Sequence, residues 1–260
     1  MVSYRDIFHD PRLQTLVETA LANNRDLRVA AANVEAARAQ ARATRAAQFP
    51  AIGVSGSVDH TDKSGSASTT DYSAGAAISG FELDLFGKLA NASAAERERA
   101  LATEASARTV RLGLVADLVD AWTGYAADRD LLAIAQDTAT NARKSVELTK
   151  ARLTGGIAPR TDLRQAEQIL ATAEIAVARQ KTALAQDENL IRLLVGSEFD
   201  EALLPRTMGE VTSAISVLPA STSSQVLLRR PDIVQAECLL RAANADIGVA
   251  RAELFPSISL

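Results

Sequence analysis

The longest uninterrupted helical pattern in the chain runs from Lys88 to Thr154, and it restricts the folds that the chain can adopt. No proline falls between Pro50 and Pro159, and good helix formers dominate the stretch. At 1.5 Å per residue, the stretch predicts a rod of roughly 100 Å, so we expect an elongated, mainly α-helical protein. Alternating steps of four and three along the stretch are typical of a coiled-coil seam. The seam positions are Leu101, Ala105, Arg108, Leu112, Val115, Val119, Trp122 and Ala126.

Composition and charge exclude several classes of function. The net charge of −4 offers no basic face for nucleic acid. The single cysteine, Cys238, excludes an internal disulfide, and two histidines, His9 and His60, argue against a histidine-based metal site. We therefore predict no metal and no cofactor. Aromatic residues are only 4% of the chain, so we expect alanine to pack against alanine.

Neither a transmembrane helix nor a signal peptide is visible in the sequence. No run of 18 apolar residues occurs, and Met1–Asp6 lacks a basic segment followed by an apolar core. A processed chain would look the same, so the sequence leaves export open.

Two shorter helices are predicted before the first strand. Asp10 and Pro11 suit the N-cap and first position of a helix over residues 12–23. Asn24 is the expected cap of a second helix, which continues with apolar residues in steps of three and four until Phe49 and Pro50 stop it.

From Ala51 the apolar period changes to two, which predicts a pair of strands of about ten residues separated by a polar loop, 60–70. Strands of this length cross a bilayer when tilted, although an ordinary hairpin on a soluble core would have the same pattern. Small polar residues favour the membrane strands, because a soluble core needs bulk. After Gly80 the phase shifts, as a bend requires. The polar face carries Ser55, Ser57, Asp59, Ser73 and Ser79.

The long helix and the helix that follows it predict an antiparallel hairpin. Gly155 and Gly156 are a helix stop, and Thr161 suits the cap of a helix that ends at Gly196. The returning helix covers only about half the length of the rod. Residues 155–162 are therefore the expected tip of the hairpin. The segment 199–225 contains two prolines and a glycine, which predicts irregular structure.

The last segment of the chain repeats an earlier one. Residues 232–260 align with residues 26–54 at a constant offset of 206 without a gap. Such a long period indicates a duplicated unit rather than a solenoid. The second copy has only begun its first strand, so we expect a fragment of a longer protein. Identical pairs include Asp26/Asp232, Ala36/Ala242, Arg45/Arg251, Phe49/Phe255, Pro50/Pro256 and Ile52/Ile258.

In this order the elements resemble the TolC-like outer-membrane efflux channels, and most closely the lipoprotein branch typified by OprM and NodT. The implied fold is mainly α with a β-hairpin, in which long antiparallel coiled-coil-like helices join transmembrane β-barrel strands shared by a trimer. The stretches that carry the resemblance are Phe8–Ala30, Phe49–Ser57, Phe81–Leu89, Gly155–Glu167 and Arg229–Leu260.

The resemblance implies a passive outer-membrane conduit that extends into the periplasm and exports drugs and other toxic compounds. Three chains would each supply four strands to a twelve-stranded barrel, because a few strands cannot close a barrel and an open edge in lipid is prohibitive. The polar face of the strands would then line a water-filled lumen, and the Ile and Val face would meet lipid.

The tip of the helical hairpin is implied to contact the periplasmic adaptor, or membrane fusion, protein of an inner-membrane pump. Asp162 falls where relatives make polar links that hold the closed state, although a plain first-turn helix acid explains it equally well. A lipid-attachment cysteine would lie upstream of Met1, and Cys238 is interpreted as a packing residue. The matching tip residues are Gly155, Gly156, Ile157, Ala158, Pro159, Thr161 and Asp162.

The resemblance also implies how the chain is organised. The expected segments are an N-terminal equatorial helix (1–24), a periplasmic helix of the first repeat (25–48), a transmembrane β-hairpin (49–87), a long helical hairpin (88–196), an equatorial segment (197–229) and the start of the second repeat (230–260).

Two other classes of protein compete with this interpretation. An enzyme is disfavoured because no motif sets reactive groups at a working spacing, and the acid pairs Glu96/Glu98 and Asp128/Asp130 are interpreted as solvated. The alternative is a periplasmic coiled-coil adaptor or structural tether without a channel. It would share the heptads, but it would require neither the strand pair nor the repeat.

Overall fold

The computed structural model describes residues 4–62, 68–216 and 223–259. The elements along the chain are α1 (Tyr4–Ile7), α2 (Pro11–Asn23), α3 (Arg25–Ala46), β1 (Ala51–Thr61), β2 (Thr69–Ser79), α4 (Lys88–Thr154), α5 (Arg160–Val195), α6 (Met208–Ala214) and α7 (Pro231–Ala252), with short 3-10 turns at Glu201–Leu203 and Ser224–Arg229.

Both predicted caps at the start of the chain are confirmed. The Asp10 carboxylate accepts a hydrogen bond from the Arg12 backbone N–H at 2.8 Å and begins α2. Asn24 Oδ1 accepts from the backbone N–H of Asp26 at 2.8 Å and of Leu27 at 3.1 Å, while Asn24 Nδ2 donates to the Leu194 carbonyl oxygen at 2.8 Å. Asn24 thus begins α3 and ties the end of α2 to α5, which explains why this polar residue is buried.

The chain divides into two compact units, and α4 contributes to both. The first unit comprises Met1–Arg28 and Val110–Ser223, and the second comprises Val29–Thr109 and Ser224–Leu260. The core of the first unit joins α2, the middle of α4, the end of α5 and α6. Its fully buried members include Leu13, Leu16, Leu118, Trp122 and Ile191. Further along the α4–α5 hairpin, Ala139, Ala142 and Ala173 pack together as the low aromatic content predicts.

The predicted bounds of α4 are confirmed, but the predicted seam is wrong in its middle part. Leu112 is 58% exposed and Arg108 is exposed, whereas Leu114 and Leu118 are buried. The predicted seam follows one set of evenly spaced positions. The docking of α2 and α5 instead buries the stripe through Leu114, Leu118 and Trp122.

The ends of α5 differ in how well the sequence predicted them. Thr161 is not the cap: α5 begins at Arg160 after Pro159 without a side-chain cap, because proline already sets an extended backbone there. Gly196 is confirmed as the C-terminal cap, with φ of 74°. A Cβ at Gly196 would lie 2.7 Å from the Asn23 carbonyl oxygen, so close approach to α2 also requires glycine.

The irregular structure predicted for 199–225 is wrong where α6 forms. Val211 and Ala214 of α6 are buried in the first unit. The Ala214 carbonyl oxygen accepts from the His9 N–H at 2.8 Å, and the Ser216 N–H donates to the Ile7 carbonyl oxygen at 2.9 Å. Contacts with the N-terminal segment thus stabilise a helix that local helix propensity does not predict. Pro219 lies outside the described residues.

In the second unit, β1 and β2 form an antiparallel hairpin, as predicted, but the strands are longer than expected. His60 pairs with Thr70, so part of the predicted loop 60–70 belongs to the strands, and residues 63–67 lie outside the described part. The strand ends at Ser79, and Gly80 has φ of 63°, consistent with the expected bend. Every described side chain of the two strands is exposed, so the hairpin is not packed on a soluble core.

The predicted first strand of the second repeat is only a single bridge in the structure. Glu82 and Ser259 form that isolated antiparallel bridge, and the Leu83 N–H donates to the Ile258 carbonyl oxygen at 2.8 Å. The rings of Phe86 and Phe255 stack beside it with centroids 4.3 Å apart.

Candidate functional sites at the strand pair and the helical tip

The register of the hairpin separates two faces that differ in chemistry. Ser57 pairs with Ser73, and their hydroxyl oxygens lie 2.8 Å apart, so both side chains are on one face. Asp59 and Ser55 belong to the same face by the two-residue period of the strand. Ser79 pairs with Ala51 in the backbone, and its side chain lies outside what the structure describes.

The opposite face of the hairpin is apolar and exposed. Ile52 pairs with Ile78, Val54 with Ala76 and Val58 with Tyr72. A contiguous exposed apolar patch needs lipid or another chain to cover it. The exposed fractions of its large members are 75% for Ile52, 83% for Val54, 63% for Val58, 78% for Tyr72 and 71% for Ile78.

Sequence reasoning missed one member of the polar face. Asp71 pairs directly with Asp59, which brings two carboxylates together near the end of the hairpin. Like charges opposite each other destabilise a hairpin in isolation, so water or a counter-ion is needed there. The register, which the sequence did not reveal, places the two residues side by side.

The helical tip is a well-formed helix stop followed by exposed residues. The Ile157 N–H donates to the Arg152 carbonyl oxygen at 2.9 Å and the Gly156 N–H to that of Leu153 at 3.0 Å, and Gly156 has φ of 72°. This is the Schellman pattern, which needs a left-handed residue at Gly156. It turns the chain into α5 within a few residues and leaves Ile157 81% exposed.

The other predicted tip residues lie around this turn. Gly155, Pro159, Thr161 and Asp162 are exposed, and Ala158 is half-buried. Asp162 lies in the first turn of α5, with its carboxylate 3.5 Å from the Thr161 hydroxyl. The tip therefore presents an isoleucine flanked by glycine, alanine and proline, a small apolar surface that another protein can contact.

The acid pairs interpreted as solvated make structural contacts instead. Asp130 Oδ2 accepts from the Met208 N–H at 2.9 Å and so caps the start of α6. Burial raises the pKa of the Asp187 carboxyl, and the neighbouring Asp128 raises it further. Glu96 forms an ion pair with Arg99. These acids are half-buried because helices pack over them.

The residues weighed for catalysis have structural neighbours. His9 Nε2 lies 3.0 Å from the Ser216 hydroxyl, His60 Nδ1 lies 2.8 Å from the Thr70 hydroxyl, and Cys238 is buried on α7. Within 4–62, 68–216 and 223–259, no three His, Cys, Asp or Glu side chains are grouped to hold a metal ion. No helix in those ranges combines the length and apolar character needed to cross a membrane.

A long helical hairpin joined to an exposed strand pair with one apolar and one polar face defines the class of TolC-like outer-membrane channels. The family model described as outer membrane efflux protein matches residues 16–197 and 222–260. The chain belongs to this family of outer-membrane proteins.

Individual relatives agree with this assignment. The chain is 39% identical over 266 residues to the probable efflux pump outer membrane protein TtgC of Pseudomonas putida KT2440, covering 99% of this chain and 54% of TtgC. It is also 39% identical over 259 residues to the cation efflux system protein CusC of Escherichia coli K12, covering 99% of this chain and 56% of CusC.

Solved structures show the same fold. A crystal structure of CusC superposes with a TM-score of 0.81 at 38% identity, covering 100% of this chain and 60% of that one. A membrane protein from Pseudomonas aeruginosa superposes with a TM-score of 0.84 at 34% identity, covering 99% of this chain and 61% of that one. The chain thus spans a little over half the length of the relatives it matches.

Proposed function

We propose that the full-length protein is the outer-membrane channel of a tripartite efflux system and acts as a passive conduit from the periplasm to the exterior. The observation that carries this proposal is the hairpin of β1 and β2, whose exposed apolar face suits lipid and whose small polar face suits water. Both strands also have an unpaired edge within the described chain, and lipid does not tolerate such edges. Three chains that share strands in one barrel would pair these edges.

The polar face is proposed to line the lumen and the tip to contact the adaptor of an inner-membrane pump. Ser55, Ser57, Asp59 and Ser73 are small or acidic, which leaves a wide, hydrated passage. The family's efflux relatives favour this channel over a coiled-coil adaptor or tether without a channel. Energy would come from the pump, and no covalent chemistry is assigned to this chain.

The cargo is proposed to be set by the inner-membrane pump and not by this chain. Two relatives that are each 39% identical to the chain are described as a toluene efflux protein and as a cation efflux protein. Solvent and cation share little chemistry, so the common channel scaffold does not select between them. A small-residue lumen agrees with that lack of selection.

Conductance in lipid bilayers tests the conduit. In the full-length protein with Cys238→Ala, we expect Ser57→Cys to lose conductance when a bulky, charged thiol reagent is added. Val58→Cys is the matched control on the adjacent, lipid-facing position, and its conductance should not change. A protein that neither conducts nor crosslinks as a trimer would refute the proposal, and equal block of both variants would refute the assignment of the faces.

A further inference from the structure

Two homologous helices, α3 and α7, pack against the same part of α4 and lie on different faces of it. Arg38 of α3 forms an ion pair with Glu104 at 2.7 Å. Arg241 of α7 lies 3.9 Å from Glu98. At 3.6 residues per turn, Glu98 and Glu104 point about 120° apart around the axis of α4. The two copies of the repeat are therefore sorted onto separate faces of one helix.

Helix α7 packs more closely against α4 than α3 does. Along α3 no residue is buried, whereas Cys238, Ala242 and Ala252 of α7 are buried. Gly248 lies so close to α4 that an added Cβ would stand 2.7–2.8 Å from the side-chain atoms of Asn91. Asn91 cannot turn away freely, because its Nδ2 donates to the Gly87 carbonyl oxygen at 2.7 Å.

The charges at this contact also match α7 specifically. One Glu98 oxygen, Oε2, is buried without a hydrogen-bond donor in the described chain. The Arg241 guanidinium lies 3.9 Å from this oxygen and 3.6 Å from Glu237 of α7, so it supplies positive charge to both carboxylates. Arg99 donates to the Asp246 carboxylate and also pairs with Glu96. The face of α4 formed by Asn91, Glu98 and Arg99, here called the α7 face, therefore presents both charge signs in a fixed order.

The first repeat carries the wrong residues for this face. With the offset of 206, α3 has Glu35 where α7 has Arg241, and Arg42 where α7 has Gly248. Glu35 would put a carboxylate beside the buried oxygen of Glu98, and Arg42 would need the space that Asn91 fills. The arginine that serves α3, Arg38, is replaced by Asn244 in α7.

We propose that the α7 face is a docking surface that accepts the second-repeat helix and rejects the first-repeat helix α3, whether α3 comes from the same chain or from a second copy. The lack of space at Gly248 excludes Arg42 of α3, and the carboxylate of Glu98 beside Arg241 repels Glu35 of α3. In a protein that contains two copies of one repeat, such a pair of unlike faces prevents the exchange of one copy for the other.

The native Cys238 reports on this docking, because it is the only cysteine in the chain and is 5% exposed. We expect Gly248→Arg and Arg241→Glu, which each introduce the α3 residue, to accelerate thiol labelling of Cys238 at least tenfold. Ala250→Arg is the matched control on an exposed position of α7 and should label at the unaltered rate. Helix propensity alone would make Gly248→Arg stabilising, so accelerated labelling cannot come from the helix itself.

Rescue variants separate the two causes. Glu98→Arg should restore slow labelling to Arg241→Glu by reversing the charge pair. Gly248→Ala should also accelerate labelling, because its methyl group meets Asn91, and Asn91→Ala should reduce that effect by removing the atoms that the methyl group meets. Far-UV circular dichroism shows whether each variant keeps its helices. If Gly248→Arg and Arg241→Glu label no faster than Ala250→Arg, or if Glu98→Arg fails to rescue, the proposal is overturned.

Discussion

Trp122 Nε1 donates a hydrogen bond to the Leu203 carbonyl oxygen at 3.1 Å, from a side chain that has no exposed surface. The indole thereby joins the middle of α4 to the 3-10 turn Glu201–Leu203, and its ring fills the core between α2 and α5. A single aromatic residue thus connects the long helix to a segment whose sequence predicts no regular structure.

Trp122→Phe should destabilise the first unit. The phenyl ring retains most of the apolar contact, but the Leu203 carbonyl oxygen loses its donor. An unsatisfied buried acceptor costs about 1–3 kcal/mol. Urea unfolding followed by circular dichroism measures the loss. Tyr125→Phe, which retains its aromatic ring, is the comparison. If the urea midpoint of Trp122→Phe equals that of the parent, the role of the hydrogen bond is contradicted.

Asp187→Asn should stabilise the protein at neutral pH. Burial and the neighbouring Asp128 raise the pKa of the Asp187 carboxyl, so its contribution to stability is present below the unfolded pKa of about 4 and is lost as pH rises through the folded pKa. The buried Oδ2 also lacks a donor in the described chain. The amide removes the charge, and we expect a gain on the order of 1 kcal/mol at pH 7 that vanishes in acid.

Thermal unfolding between pH 4 and pH 8 tests this pH dependence. Asp137→Asn is the control, since Asp137 is an exposed acid on α4, the helix that carries Asp128. A gain for Asp187→Asn that is the same at both ends of the range would show that charge is not the cause.

Asp10→Asn should reduce stability at neutral pH and leave it unchanged in strong acid. The Arg12 guanidinium, which also pairs with Glu210 at 2.8 Å, lowers the pKa of the Asp10 carboxyl. A lowered pKa gives stability above the unfolded value of about 4 and loses it as pH falls through the folded value. Because asparagine is as good an N-cap as aspartate, the variant isolates the charge. Parent and variant should therefore converge only as the pH falls from about 4 through the lower folded pKa, and a constant difference would indicate a lost cap instead.

Gly196→Ala should destabilise the junction of α2 and α5 by about 1–3 kcal/mol. Alanine there has to adopt φ of 74° and also meets the Asn23 carbonyl oxygen. Gly113→Ala provides the opposite case, because nothing lies near its Cβ and the position is inside α4. That control should gain about 0.5–1 kcal/mol. Chemical unfolding of both variants measures the contrast, and a neutral Gly196→Ala would argue against close packing.

Ala158→Arg should weaken binding of the adaptor to the full-length protein and sensitise cells to exported compounds. The half-buried methyl group lies in the exposed tip beside Ile157, where a long cation obstructs a partner without altering the glycine turn. Ala171→Arg, on an exposed position of α5 away from the tip, is the matched control. Equal drug tolerance of the two variants would remove the tip from the adaptor interface.

The sequence by itself determined the features whose causes are local. The bounds of α4, the caps Asp10 and Asn24 and the stop at Gly196 depend on propensity and on hydrogen bonds within a turn, so a short window of residues contains them. The alternation of β1 and β2 predicted two faces for the same reason.

Only the tertiary structure decided which surfaces meet. Leu114 and not Leu112 is buried because α2 and α5 dock on that side of α4, and α6 forms because Val211 reaches a core built by distant segments. The pairing of Asp59 with Asp71 depends on the register that the two strands adopt. Each of these outcomes depends on contacts with other segments of the chain. The helical or strand period of one segment is compatible with more than one packing partner or register, so the period alone does not determine the outcome.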